Sequence, residues 1–184
     1  MRDGDEMVGS GTPREGMLRE GMRVGKLRDK VAVITGTASG VGRAAALRFA
    51  AEGAAVVAAD RADEGNAETV AAVADAGGRA LAVHVDVTDD AEVAALFAAA
   101  EEAFGRVDIV FNNAGVMLPG DDDAVSTPDE IIDRTLAINV KGVILGCRHG
   151  IPALRRAGGG AIVNTASFVA SLGAATPQIA YTAS

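Results

Sequence analysis

Apolar residues along this chain gather into five short, near-continuous runs, at 31–34, 54–59, 81–87, 107–111 and 162–165. Runs of this length without polar alternation are what strands buried on both faces look like. Stretches with helical spacing lie between them. The clearest covers 89–104, where Val93, Leu96, Phe97, Ala100 and Phe104 form one stripe, and Asp89 with Glu92 supplies an N-cap and an acidic third position. A second helix is predicted to open at Thr127-Pro128-Asp129-Glu130, with threonine as cap, proline at the first helical position and glutamate at the third. It continues to about Arg156, with Pro152 expected to kink or shorten it. Gly142, Gly146 and Gly150 fall four apart on one face of it, and the neighbouring Lys141, Arg148 and His149 fit a soluble helix, not a membrane pair. Strands alternating with helices imply right-handed crossovers, and so an α/β fold on a parallel sheet.

Before the first run the pattern fails. Residues 1–26 carry glycines and alternating charges with no apolar period, so they are expected to form a flexible extension ahead of one domain over 27–184. Met7, Met17 and Met22 are alternative starts within it. Composition adds limits. The chain has 184 residues, 49% hydrophobic and 23% charged, enough apolar material for a real core. Its net charge of −8 argues against a nucleic-acid partner held by a basic field, although helix ends and backbone amides can still bind an anionic dinucleotide. Cys147, the single cysteine, excludes an internal disulfide and offers no thiolate cluster for a metal, so it is expected to pack as a small hydrophobe. No apolar run approaches the length of a membrane span and no signal-peptide core is visible, which makes cytoplasm the default and no membrane partner expected.

Candidate chemistry begins at Thr35-Gly36-Thr37-Ala38-Ser39-Gly40-Val41-Gly42, directly after the run at 31–34. Strand, glycine-rich turn and helix start aim unpaired N–H groups and the positive end of a helix dipole at the loop. Glycines there let a pyrophosphate approach the backbone closely. An ordinary tight turn would look similar. Asp60 ends the second run, eighteen residues beyond Gly42, where a carboxylate can accept from the adenosine ribose hydroxyls and select NAD over NADP. Arg61 beside it could tolerate a 2′-phosphate instead.

The glycine loop, Asp60, Asp86-Val87, Asn112-Asn113-Ala114-Gly115, Asn139, Ser167 and Tyr181, in this order, resemble the short-chain dehydrogenase/reductase family from about Leu27 to the last residue. The resemblance implies a Rossmann-type doubly wound parallel sheet of order 3-2-1-4-5. It implies that Gly36, Thr37, Ser39, Gly40, Val41 and Gly42 line the pyrophosphate and ribose, that Asp86 and Val87 border the adenine, and that Asn113, Ala114 and Gly115 lie against the cofactor ribose. Asn139 would hold a water of a proton relay, although its position alone reads equally as solvent-facing. Ser167 would bind the substrate carbonyl, and Tyr181 would be the general acid in reduction and the base in oxidation. A small-molecule alcohol or ketone substrate, NAD as cofactor and a homo-oligomeric intact protein complete the implied picture.

One departure qualifies it. The family carries a lysine four residues after the tyrosine, and this sequence stops at Ser184, one residue short. On that basis it is expected to be a fragment or a truncated product, without the last strands, helices and substrate loop, with little turnover as written and with an exposed strand edge at 162–165. A dinucleotide-binding fragment without catalysis is the competing reading. A methyltransferase also places a glycine loop and an acidic strand end about its cofactor, but it has no use for Asn139, Ser167 and Tyr181 in register.

Overall fold

Why these apolar runs become one sheet is visible in the way their alternate residues divide. The computed structural model describes residues 25–184. Five parallel strands, β1 (Val31–Thr35), β2 (Ala55–Asp60), β3 (Arg79–His84), β4 (Ile109–Asn112) and β5 (Ala161–Asn164), lie in the order β3-β2-β1-β4-β5. Val31 and Val33 face one side with Ala55, Val57 and Ala59; Ala32 and Ile34 face the other with Val56 and Ala58. The first side is covered by α3 (Asp90–Phe104) through Val93, Leu96, Phe97 and Ala100, and by α5 (Gly142–Arg156) through Leu145, Ala153 and Leu154. The second is covered by α1 (Gly40–Ala51) and α2 (Asp63–Asp75), through Ala46, Phe49 and Val70, with the Phe49 and Phe111 rings stacked at 6.4 Å. This is the doubly wound sheet expected from the sequence, and the central strand β1 is buried along its whole length.

The glycine face of α5 has a packing role. A Cβ on Gly142 would press on Val87 at 2.9 Å, one on Gly146 would meet Asn112 Oδ1 at 2.0 Å, and one on Gly150 would meet Val110 at 3.0 Å. Small residues there bring the helix down onto β4 and the end of β3. No helix among the described residues is long and apolar enough to cross a membrane.

Several boundaries differ from the expectation. β3 was expected at 81–87 and runs from Arg79 to His84, because Asp86 folds the chain out of the ladder: its carboxylate accepts from both the N–H and the hydroxyl of Thr88. Being an edge strand, β3 is also only partly covered. Asp89 caps α3 as expected, accepting from Ala91 and Glu92 N–H, whereas the Glu92 carboxylate reaches past the cap to the Asp86 N–H. The helix expected from Thr127 starts later, as α4 (Asp129–Leu136), with Pro128 as its extended cap residue. Thr127 is turned the other way: its hydroxyl accepts from Asp122 N–H and donates to Asp123 O. The predicted single helix is interrupted at a π-turn, Ala137–Lys141, and not at Pro152, which sits inside α5. Two short helices, α6 (Val169–Leu172) and α7 (Ile179–Ala183), follow β5, the other edge, where Val163 is exposed. The extension expected over 1–26 lies, but for its last two residues, outside the described residues. Lys26 is already held by the domain, its N–H donating to a Glu52 carboxylate oxygen.

Asp108 is the buried charge that sets the start of β1. Its carboxylate, 4% exposed, accepts from Val31 N–H at 3.0 Å, from Arg106 at 2.6 and 2.9 Å and from Lys30 at 3.3 Å. Burial pushes the carboxyl up, but Arg106, the Val31 N–H and Lys30 outweigh it and hold the group below the ordinary carboxylate value. Arg106 and Lys30 are half-exposed, so their ion pairs contribute little; the stranded Val31 N–H is the larger cost of truncation. Asp108→Ala is expected to cost about 2–3 kcal/mol and Asp108→Asn, which keeps an acceptor for Val31, about 1 kcal/mol, as read by urea unfolding. A depressed folded pKa means that this contribution is complete above about pH 4, the unfolded value, and is lost as pH falls through the folded one. Acid titration of wild type and Asp108→Asn should therefore converge below that pH.

Candidate functional site

The ends of β1, β2 and β4 open into a cleft of about 520 Å³ at the C-terminal edge of the sheet, where open α/β sheets bind ligands. It is organised by the turn between β1 and α1. Gly36 takes φ 77° and Gly40 φ 54°, in the left-handed region that favours glycine. The two differ in what surrounds them. A Cβ on Gly36 would meet Ala114 Cα at 2.9 Å, and one on Gly42 would meet Gly36 O at 2.0 Å, whereas one on Gly40 would meet nothing. Gly36 and Gly42 are thus packing positions, and Gly40 is the open one. Ser39 precedes α1 without making a cap bond, and no acidic residue lies in the first turn, so the N–H groups there are unclaimed by side chains.

Of the residues expected at the cofactor, Gly36, Ser39, Gly40, Val41, Asp60, Arg61, Asp86, Val87, Asn113, Ala114 and Gly115 line this cleft. Thr37 and Gly42 do not. Thr37 is completely buried and donates its hydroxyl to Asn66 Oδ1 at 2.7 Å, so its side chain lies under the loop. Asn66 in turn donates to Ala58 O and Val83 O, tying the loop to β2 and β3. Thr69 Oγ1 donates to Thr37 O, and Arg43 spans Ala38 O, Gly65 O, Glu68 and Thr69. None of Arg43, Asn66 and Thr69 was singled out from the sequence. The only trace they leave there is a polar pair three residues apart on one helix face.

Asp60 is fixed at both oxygens, one accepting from Ala38 N–H and the other from Ala62 N–H, each at 2.9 Å. It therefore presents a carboxylate of set orientation to the cleft beside the loop. Asp86 is held below the ordinary carboxylate value by the Thr88 N–H, against the cost of burial, with the Thr88 hydroxyl and the Arg61 charge adding to the effect. Asn113 donates to Thr35 O and accepts from the Thr165 hydroxyl, while its own N–H and that of Ala114 share Thr35 Oγ1. This lattice joins the ends of β1, β4 and β5 and lays 113–115 along the cleft floor. Asn112, beside them, is buried and donates to Asn164 Oδ1 and, weakly, to half-buried Cys147 Sγ at 3.6 Å.

Asn139, Ser167 and Tyr181 line the same cleft, with Val116, Met117, Ala166 and Ala170. Asn139 lies in the π-turn, a geometry that recurs at functional sites because it re-aims one side chain of a helix. It is not solvent-facing. Its amide accepts from Val116 N–H, donates to Val116 O, and donates to Ser184 Oγ at 2.9 Å. Ser184 Oγ donates to Tyr181 O. Ser167 is half-buried at the start of the segment leading into α6.

The cleft thus brings the glycine-rich loop and the strand-end carboxylate of Asp60 together with Ser167 and Tyr181. The family model for short chain dehydrogenases matches residues 30–184. The 2-(R)-hydroxypropyl-CoM dehydrogenase of Xanthobacter autotrophicus is 43% identical over 162 residues, 84% of this chain and 62% of that one. The 3beta-hydroxysteroid dehydrogenase 1 of Eggerthella lenta is 46% identical over 143 residues, 77% of this chain and 54% of that one. The crystal structure of levodione reductase superposes with a TM-score of 0.80 at 38% identity, over 86% of this chain and 61% of that one. In each case the chain spans less than two thirds of its relative's length. The chain belongs to the short-chain dehydrogenase family.

Proposed function

We propose that these residues form the nucleotide-binding and proton-transfer part of an oxidoreductase that moves a hydride between NAD(H) and an alcohol/carbonyl pair. The observation that carries the reading is that Ser167 and Tyr181 line the same cleft as the glycine loop and Asp60. The site suits a dinucleotide: Gly40 leaves its backbone open, and the first turn of α1 offers unclaimed N–H groups to a pyrophosphate. Asp60 would take the adenosine ribose hydroxyls, and residues 113–115 with Asn139 would border the nicotinamide half. A bound nicotinamide supplies or accepts the hydride. The protein's part is to hold the reacting oxygen and move one proton. Ser167 Oγ donates to the substrate oxygen, stabilising the negative charge that develops there in reduction. Tyr181 gives its phenolic proton to that oxygen in reduction and takes it back in oxidation. Val116, Met117, Ala166 and Ala170 line the cleft without adding charge, which suits a neutral carbonyl or hydroxyl. The relatives' names fit a hydroxyl-bearing carbon on otherwise different molecules, 2-(R)-hydroxypropyl-CoM in one and a 3beta-hydroxysteroid in another.

Tyr181→Phe tests the reading in the protein that carries these residues. Loss of a positioned acid–base group typically costs 10²–10⁴-fold, so kcat with a responsive alcohol should fall about 10³-fold while the Kd for NAD stays within about twofold. Retained turnover, or no NAD binding by the parent, would overturn it.

A further inference from the structure

Tyr181 sits in a helix of five residues, and such a turn does not hold itself. Its own sequence offers no cap. Gln178, at the cap position, makes no side-chain cap bond and follows Pro177. Yet the first N–H groups of the turn are all paired. Ile179 N–H donates to Asp122 O at 2.9 Å, Ala180 N–H to Asp121 Oδ1 at 2.9 Å, and Tyr181 N–H to Asp121 Oδ2 at 2.8 Å. One half-buried carboxylate, sixty residues away in the loop after β4, therefore spans the two N–H groups that include the tyrosine's own.

That loop is itself fastened. Asp122 N–H donates to the Thr127 hydroxyl, and Asp123 accepts from Val125 and Ser126 N–H and from the Ser126 hydroxyl. Thr127 N–H closes back on Asp123 O. The run Asp121-Asp122-Asp123 looks in the sequence like a solvated acidic patch. In the fold, Asp121 reaches across to α7, while Asp122 and Asp123 secure the loop that carries it. Charge-assisted bonds to two successive N–H groups fix both the height and the rotation of a helical turn.

We propose that Asp121 is a positioning residue for Tyr181: its carboxylate clamps the N-terminal turn of α7 and so sets where the phenol stands in the cleft relative to Ser167. This rests on the reading of Tyr181 as the proton-transfer group, but it is testable without turnover. Tyr181 is the only tyrosine and the chain has no tryptophan, so intrinsic fluorescence reports this one side chain. In the 184-residue chain, Asp121→Ala should raise collisional quenching of that emission by acrylamide at least about twofold and lower its anisotropy, as expected for a turn released to local opening. The Kd for NAD should change less than about twofold, since the Asp121 carboxylate bonds only α7 and not the glycine loop or Asp60. Asp121→Asn, which keeps the volume but accepts at one atom only, should fall between the two and serves as the deciding variant if Asp121→Ala does not fold.

Wild-type quenching in a folded variant overturns the proposal, as does a loss of NAD affinity in parallel with the change in quenching, which would mark a general loosening. In the active protein, Asp121→Ala should lower kcat by about 10- to 100-fold with KM for NAD unchanged, the size of effect that small misplacement of a reacting group produces. It should have no further effect on a Tyr181→Phe background; an equal fall in both backgrounds also overturns it. Failure to turn over any alcohol would count against the oxidoreductase reading alone, and the quenching series would still decide the role of Asp121.

Discussion

Gly42→Ala is expected to remove NAD binding and cost the domain about 3 kcal/mol or more, while Gly40→Ala costs about 1 kcal/mol. The contrast follows from what a Cβ would touch. At Gly42 it would stand 2.0 Å from Gly36 O and 2.8 Å from Asn113 Nδ2. The first is a backbone atom and cannot rotate aside. It belongs to a residue whose N–H donates to Ala59 O and whose φ is already in the left-handed region, so relief means moving the whole turn away from β2. Moving the turn also disturbs Asn113, which ties β4 to Thr35. Overpacking of this kind typically costs 1–3 kcal/mol even where side chains can adjust. At Gly40 a Cβ meets no atom, so only the strain of φ 54° remains. Thermal melts should separate the two by at least about 4–8 °C, at roughly 2–4 °C per kcal/mol for a domain of this size. Gly42→Ala melting within a degree or two of wild type, with NAD binding intact, would show that the turn is softer than its contacts imply.

How much of this was legible in the sequence depends on the range over which each feature is determined. The strand–glycine turn–helix unit is local: the run at 31–34, the missing side chains at Gly36 and Gly42, and the apolar face of α1 act within twenty residues. Its existence and position were readable. So were the sheet order, through the family resemblance, and the buried character of β1 and β2. The end of β3 was not, because Asp86 leaves the ladder to bond Thr88 and the apolar Val85 and Val87 disguise that exit. Thr127 looked like a helix cap because sequence supplies the residue type and not the direction of its hydroxyl. Thr37 was placed at the pyrophosphate by the family resemblance, and its burial and the hand-over of its hydroxyl to Asn66, 29 residues along the chain, are tertiary features that no local pattern shows. Asn139 was found as a residue, but its bonds to Val116 and the π-turn that aims it belong to tertiary structure. Asp121 was missed altogether, since a side chain that caps a helix sixty residues away leaves no periodic mark.

NAD should bind the chain about 10²-fold more tightly than NADP, and Asp60 should be the cause. A 2′-phosphate held about 4 Å from the Asp60 carboxylate would meet a repulsion of up to about 4 kcal/mol per unit charge at an effective dielectric constant of 20. Salt, with a screening length of about 8 Å at physiological strength, and movement of Arg61 toward the phosphate both reduce this. About 2.7 kcal/mol of net discrimination corresponds to the hundredfold ratio. Removing the carboxylate has a second consequence that must be separated from the first. Asp60 also accepts from Ala38 and Ala62 N–H, so Asp60→Ala loosens the glycine loop and weakens both nucleotides. That loss is common to the two and cancels in their ratio. Asp60→Asn retains one acceptor for the loop while removing the charge, so it should hold NAD better than Asp60→Ala does and still bring the NADP/NAD ratio to within about threefold, with Arg61 then free to pair with the phosphate. Isothermal titration of both nucleotides against the three proteins measures it. Equal affinities in the unmodified chain, or a ratio that Asp60→Asn leaves unchanged, would mean that cofactor choice is made elsewhere in the cleft.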